Sequence, residues 1–260
     1  KLKDWMDAVA KDPPYQFRSR LAGKPSLAVL FVGNSYSFEL AESVRLLARA
    51  EGQEIRTDQV VAGGWTLARH AASPATMEKI RTGKWDVVVL QEQSLVPAFP
   101  PGQRDETMLP PLAKLAAAAR EAGAVPVLYQ TWGRRDGDRE NPDVFPNDTF
   151  DAMHARLVSG FTTAAKSTGN LAIVPAGTAW AAEMAAGRGK ELFAKDGSHP
   201  SRRGLYLNAC VFFTFLRDKP VKAGFGPAFS AGDLTGLEAT AAKCALWSPP
   251  PLAAPSPVAR

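Results

Sequence analysis

The chain has 260 residues, 45% hydrophobic and 22% charged, which suits one α/β domain of ordinary size with a core of its own. Its formal charge of +5 and pI near 9.3 are mildly basic. The lysines and arginines are scattered among acids rather than gathered into a stripe, so no nucleic-acid partner is expected. No apolar run approaches the roughly 20 residues that cross a bilayer, so no membrane span is expected either.

The first residue is Lys1 rather than Met, which reads as a processed or shortened start. If a signal peptide has been removed, the protein works in the periplasm or outside the cell rather than in the cytoplasm. The two cysteines, Cys210 and Cys244, lie far apart and form no metal-type spacing. Cys210 falls in the apolar run 209–216 and reads as a buried thiol; pairing with Cys244 would need an oxidising compartment.

In chain order, residues 1–23 are polar and interrupted by proline, an arm made of a short helix and an extended segment. Residues 27–32 form a short continuous apolar run, a strand buried on both faces. It stops at Gly33, and an amphipathic helix pattern follows over 39–50. Residues 54–61 read as a second strand ending at Gly63-Gly64, and 74–82 as a short helix. Residues 85–90 are a third buried strand, ending in Gln91-Glu92-Gln93-Ser94. An Ala-rich helix over 106–122 stops at Gly123, and 125–130 is the fourth strand.

A long polar loop follows at 131–147, carrying Trp132, Arg134 and Arg135; a structureless stretch of that length in a compact domain is functional or disordered. Then come a helix over 148–168, a fifth strand over 171–175, a helix over 178–186 and a final long helix over 202–217. Residues 24–220 thus make the central domain, and 221–260 an extension whose Pro- and Ala-rich tail, 248–260, is expected to be poorly ordered. The alternation predicts an α/β fold: a three-layer, doubly wound sheet of five parallel strands with helices on both faces. Ligand sites in such folds lie beyond the carboxyl ends of the strands, where Ser35, Gly64, Gln91 to Ser94 and Trp132 all fall.

Ser35 stands where the first strand breaks on glycine into a helix. There, free N–H groups favour negative charge, and a serine is either a cap or a nucleophile. With three histidines in the chain, a general base is easy to seek. His199 stands in Asp196-Gly197-Ser198-His199-Pro200, a polar turn in which Asp196 can hold the imidazole Nδ1–H and leave Nε2 free. A capping turn explains Asp196 alone but gives no reason for the pair. His70 and His154 read as structural or surface residues, His70 being the nearer to the site. Trp65, Trp132, Arg134 and Arg135 could line the mouth of the site, the alternative for each tryptophan being ordinary packing.

Gly33-Asn34-Ser35-Tyr36-Ser37 resembles the Gly-Asp-Ser block of the SGNH (GDSL-like) hydrolases, with Asn34 in place of the usual Asp. Asp196-Gly197-Ser198-His199-Pro200 resembles their Asp-x-x-His block, and Gly63-Gly64-Trp65-Thr66 their glycine block; together these cover about residues 27–216. The Gly-x-Asn-Asp block is replaced by Gln91-Glu92-Gln93-Ser94, as in a poorly characterised bacterial branch of that family.

The resemblance implies a Ser35, His199, Asp196 triad and acyl transfer with no metal or organic cofactor. It also implies an oxyanion hole of the Ser35 and Gly64 N–H groups and a side-chain amide, Gln93 if the four residues are matched one for one, with Gln91 as rival. Asn34, Trp65, Trp132 and Arg134 then fall on the substrate side. The expected activity is hydrolysis of a short acyl ester, acetyl above all, of a carbohydrate or small molecule. Two alternatives remain at this stage: an acyltransferase on the same triad, and a non-catalytic domain that binds a small anion. The oligomeric state is not legible in the sequence.

Overall fold

The structure is a computed structural model that describes residues 2–223 and 231–248. Five parallel strands, β1 (Ser26–Gly33), β2 (Glu54–Val61), β3 (Val87–Leu90), β4 (Val125–Tyr129) and β5 (Ala172–Val174), lie in the order β2-β1-β3-β4-β5. This is the predicted doubly wound sheet. Gly33 pairs with Val61, Val32 with Leu90, Leu90 with Leu128 and Tyr129 with Val174, so all five carboxyl ends finish along one edge. The chain reverses its winding direction between β1 and β3, and a crevice opens at such a switch point.

The inner strands β1, β3 and β4 are apolar because helices cover both faces, whereas β2, at one edge, is mostly polar. Val29, Phe31, Val87, Val89, Val127 and Tyr129 point into one core. They meet α2 (Pro13–Leu21), α3 (Leu40–Ala50), α8 (Ala176–Ala185), α9 (Arg202–Arg217) and α10 (Ala231–Ala245) there. Leu30, Val32, Val88, Leu90 and Leu128 point the other way, toward α4 (Leu67–Ala72), α5 (Pro74–Thr82), α6 (Pro101–Glu121) and α7 (Phe150–Ser167). The alternation along β1 follows from the period of two in a strand.

The structure departs from the sequence reading at several elements. Residues 13–21 are helical rather than extended: Asp12 caps the helix by accepting the Tyr15 N–H, and Pro13-Pro14 occupy the first turn, where no N–H is needed. α2 follows α1 (Leu2–Lys11) and buries Phe17 against Phe215, with ring centroids 4.6 Å apart. Such a burial is worth about 2 kcal/mol. α4 is a further short helix, capped by Thr66, and α6 starts five residues earlier than expected, on Pro101. α10 was not anticipated; it docks through Thr240 on the buried Glu183 and through Glu238 on Tyr206.

Cys210 is buried, and both cysteines are free thiols. The tail expected to be poorly ordered, 248–260, lies outside the described residues from 249 onward. No helix among the described residues is long and apolar enough to cross a membrane.

Candidate active site

β1 ends in a tightly braced turn. A Cβ on Gly33 would lie 2.4 Å from Gln91 Oε1 and 2.9 Å from Ser37 Oγ, so only glycine fits there. The Gly33 carbonyl accepts the His70 Nε2–H at 2.8 Å. Gln91, fully buried, presents its Oε1 to the Asn34 N–H (2.8 Å) and the Ser37 hydroxyl (3.0 Å) and donates through Nε2 to Asn34 Oδ1 (3.0 Å). Asn34 Oδ1 also caps the Tyr36 N–H, and Asn34 Nδ2 donates to the Trp65 carbonyl. Ser35 opens a single 3-10 turn, Ser35–Ser37. α3 begins only at Leu40, after Glu39 in the left-handed region at φ 61°. The serine therefore heads a 3-10 turn, not the long helix the sequence suggested.

Ser35 Oγ lies 2.8 Å from His199 Nε2, and His199 Nδ1 lies 2.6 Å from Asp196 Oδ2. Asp196 Oδ1 accepts the N–H groups of Ser198 (2.9 Å) and His199 (3.0 Å), which folds the turn around the carboxylate. Burial alone would raise the Asp196 carboxyl, but these bonds and the imidazole together hold it below the usual carboxylate range. An ionised carboxylate only accepts, so Nδ1 carries the ring proton and Nε2 is left to accept from the Ser35 hydroxyl.

The histidine turn is tethered from behind. Tyr36 OH bonds Ser198 Oγ at 2.6 Å, and Trp132 Nε1–H donates to the Ser198 carbonyl at 3.0 Å. Trp132 is sandwiched between Tyr36 (centroids 4.9 Å, 10° between planes) and Trp180 (3.8 Å, 3°). Gly197 sits at φ 68°, a conformation that favours glycine. The reactive face stays open: the His199 and Asp196 side chains are 42% and 49% exposed.

The remaining sequence-nominated residues sort by what they touch. Trp132 has no exposed surface and both ring faces covered, so it supports the histidine turn and does not meet a ligand. Asn34 is buried with its amide committed to the serine turn, which likewise removes it from the substrate side. Trp65 is half-buried, its ring 5.0 Å from that of His70.

Arg134 bonds Glu140 and reaches Ser94 Oγ at 3.3 Å, so it is bound into the loop after β4. That loop is cross-braced rather than loose: Asp138 N–H donates to Asp148, which Arg156 grips with two bonds. His70 is structural, as expected, and His154 stacks on Phe150 at 5.6 Å.

Of the two rival glutamines, Gln91 is consumed within the serine turn. Gln93 is half-buried, and its Oε1 accepts the Leu95 N–H at 2.7 Å, leaving its Nε2 without a partner among the described residues. The Ser35 and Gly64 N–H groups are likewise unpartnered among the described residues. No group of three or more His, Cys, Asp or Glu side chains that could hold a metal occurs among the described residues.

Tyr36, Ser198 and Glu92 received no role from the sequence. The only signal for Glu92 was an acid directly after a buried strand.

No protein-family model matches this chain, and no curated protein matches it. Among solved structures it is similar to a DUF4886 family protein from Bacteroides uniformis, at 21% identity and TM-score 0.72, covering 84% of this chain and 94% of that one. It is also similar to a lipase/acylhydrolase from Enterococcus faecalis (14%, TM-score 0.55, 77% and 100%). A third is a variant of Axe2, an acetyl-xylooligosaccharide esterase from Geobacillus stearothermophilus (17%, TM-score 0.51, 78% and 97%). The five-stranded parallel sheet in the order 2-1-3-4-5 with helices on both faces is the fold of the SGNH hydrolases.

Proposed function

We propose that the chain is a serine esterase whose nucleophile is Ser35, whose general base is His199 and whose orienting carboxylate is Asp196. The observation that carries this reading is the hydrogen-bonded chain from Ser35 Oγ through the imidazole to Asp196, 2.8 and 2.6 Å long, at the carboxyl edge of the sheet. A domain that merely bound an anion would have no use for an imidazole held in that tautomer behind a hydroxyl.

In this reading Ser35 Oγ attacks the ester carbonyl as His199 Nε2 takes its proton. The imidazolium then protonates the leaving alcohol, and water, deprotonated by the same nitrogen, releases the acid. The oxyanion is met by the Ser35 and Gly64 N–H groups and Gln93 Nε2, three donors with no competing partner among the described residues. Each such donor is typically worth about 3 kcal/mol at the transition state.

Two features support a short acyl group on a polar alcohol. The triad is open to solvent, which leaves room for a bulky leaving group such as a sugar. The similar Axe2 is itself described as an acetyl-xylooligosaccharide esterase. Trp65, half-buried next to Gly64, is the aromatic surface available to such a ligand.

The test is hydrolysis of p-nitrophenyl esters from acetate to octanoate by the wild type and Ser35→Ala. Activity highest on acetate and absent in the variant is expected. Wild-type activity that survives in Ser35→Ala would remove this assignment of the site, and a preference for octanoate would remove the short-acyl reading.

A further inference from the structure

Three consecutive residues leave β3 and reach three different places. Gln91 braces the serine turn, and Gln93 Oε1 receives the Leu95 N–H. Between them Glu92 has no exposed surface. One of its oxygens, Oε1, accepts two backbone bonds at once: the Leu67 N–H at 3.0 Å and the Gln93 N–H at 2.7 Å. Leu67 is the first residue of α4, three residues beyond Gly64. Gln93 carries the side-chain amide of the proposed oxyanion hole. A single carboxyl oxygen thus joins the two loops that bear Gly64 and Gln93.

The rest of the carboxyl makes the joint conspicuous. Oε2 is buried with no hydrogen-bond partner, and burial pushes the acid up to about 7. A buried acid with one idle oxygen is unfavourable by itself, and what offsets its cost is the pair of backbone N–H groups that Oε1 accepts and that an apolar side chain would leave unpaired. Packing therefore gives no reason for an acid here, whereas the shared acceptor does.

We propose that Glu92 is a positioning residue of the oxyanion hole, setting the separation of the Gly64 N–H and the Gln93 amide by holding both loops on Oε1; this rests on the esterase reading above. It touches no substrate. Donors preset to a developing oxyanion lose most of their value when moved by about 1 Å, which costs on the order of 100-fold in rate. Because Oε1 accepts whether or not the acid is protonated, a glutamine, with a carbonyl oxygen at the same reach, preserves the joint. Leucine removes it, and aspartate withdraws it by one methylene.

The experiment compares full-length wild type, Glu92→Gln, Glu92→Asp, Glu92→Leu and Ser35→Ala. It reads kcat and KM on p-nitrophenyl acetate and the rate at which a fluorophosphonate labels Ser35, with folding checked by circular dichroism. In Glu92→Leu, kcat is expected to fall by about 100-fold with KM little changed and labelling slowed in parallel, and Glu92→Gln is expected to recover most of the loss. Glu92→Asp, which keeps an acceptor and disturbs the fold less than Glu92→Leu, is expected to lie between them and serves if Glu92→Leu does not fold.

Folded Glu92→Asp or Glu92→Leu with wild-type kcat, a loss carried by KM alone, or a Glu92→Gln as slow as Glu92→Leu would each overturn the positioning role. If those variants are unchanged while Ser35→Ala is inert, only this role is lost. If Ser35→Ala keeps activity, or the wild type neither hydrolyses nor labels, the esterase reading falls and this one with it.

Discussion

The two halves of the site are built differently. The serine turn is an extension of the sheet: Gly33 is wedged against Gln91, its carbonyl is held by His70, and the amide of Asn34 is committed within the turn. The histidine turn stands in solvent, with its own carboxylate as hub and two tethers, from Tyr36 and Trp132, reaching Ser198. Placement of Ser35, the proposed nucleophile, is thus coupled to the folding of the core. Placement of His199, the proposed base, depends on a few local bonds that can change without unfolding anything. Mutations on the first side should move stability and activity together, and mutations on the second should move activity alone.

The largest effect expected is that of His199→Ala, a loss on the order of 10⁶ in kcat because triad members act as a unit, with the thermal midpoint hardly moved. A fall in the midpoint comparable to that of a core mutation would break the contrast. Asp196→Asn should cost about 10⁴ in kcat. The amide oxygen can still accept the Ser198 and His199 N–H groups and keep the turn, but its NH2 cannot accept from Nδ1, so the imidazole takes the wrong tautomer. Activity within tenfold of wild type would show that the Asp196 carboxylate is not the orienting group.

Gln91→Leu tests the buried half. It leaves the Asn34 N–H and the Ser37 hydroxyl without their acceptor, a loss of about 3 kcal/mol of stability, visible in the urea midpoint and accompanied by slower hydrolysis. Unchanged stability would mean that the serine turn is held by something other than this amide. By contrast, Trp132→Phe keeps the stacked ring but loses the bond to the Ser198 carbonyl. It should lower kcat by about fivefold, the kinetic equivalent of one hydrogen bond worth about 1 kcal/mol, and move stability less than Gln91→Leu does.

The last effect is a pH dependence of stability. Glu92 keeps its proton up to about 7 in the folded protein against a usual 4.5. Between those values the folded state binds a proton that the unfolded chain has released, so stability falls as pH rises through that window. Glu92→Gln, which has no such proton, should lose less stability than the wild type between pH 4.5 and 8. Parallel pH curves for the two proteins would contradict it.

Most of the sheet was legible because β1, β3 and β4 are short apolar runs closed by glycine or a polar cluster. β2 and α9 were bounded to the residue. Ser35 and the Asp196-His199 pair were legible because their geometry is local to one turn each. What escaped depends on contacts between distant segments.

Trp132 reads in sequence as an aromatic in a polar loop; only the approach of Tyr36 and Trp180 buries it. Gln91 and Gln93 are equivalent by composition, and they are told apart only when the serine turn closes on the first and leaves the second its free amide. Asn34 sits beside Ser35, but its amide faces inward. α10 is rich in Ala and Gly, and its docking on Glu183 and Tyr206 has no local signature.

The most direct test of the central claim is to label the wild type with a fluorophosphonate and map the adduct by peptide mass spectrometry. Ser35 Oγ would attack phosphorus and expel fluoride, with His199 taking the hydroxyl proton. One adduct per chain on Ser35, lost in His199→Ala, is the predicted result. An unlabelled protein, or an adduct on another residue, would contradict the assignment of Ser35 as an activated nucleophile.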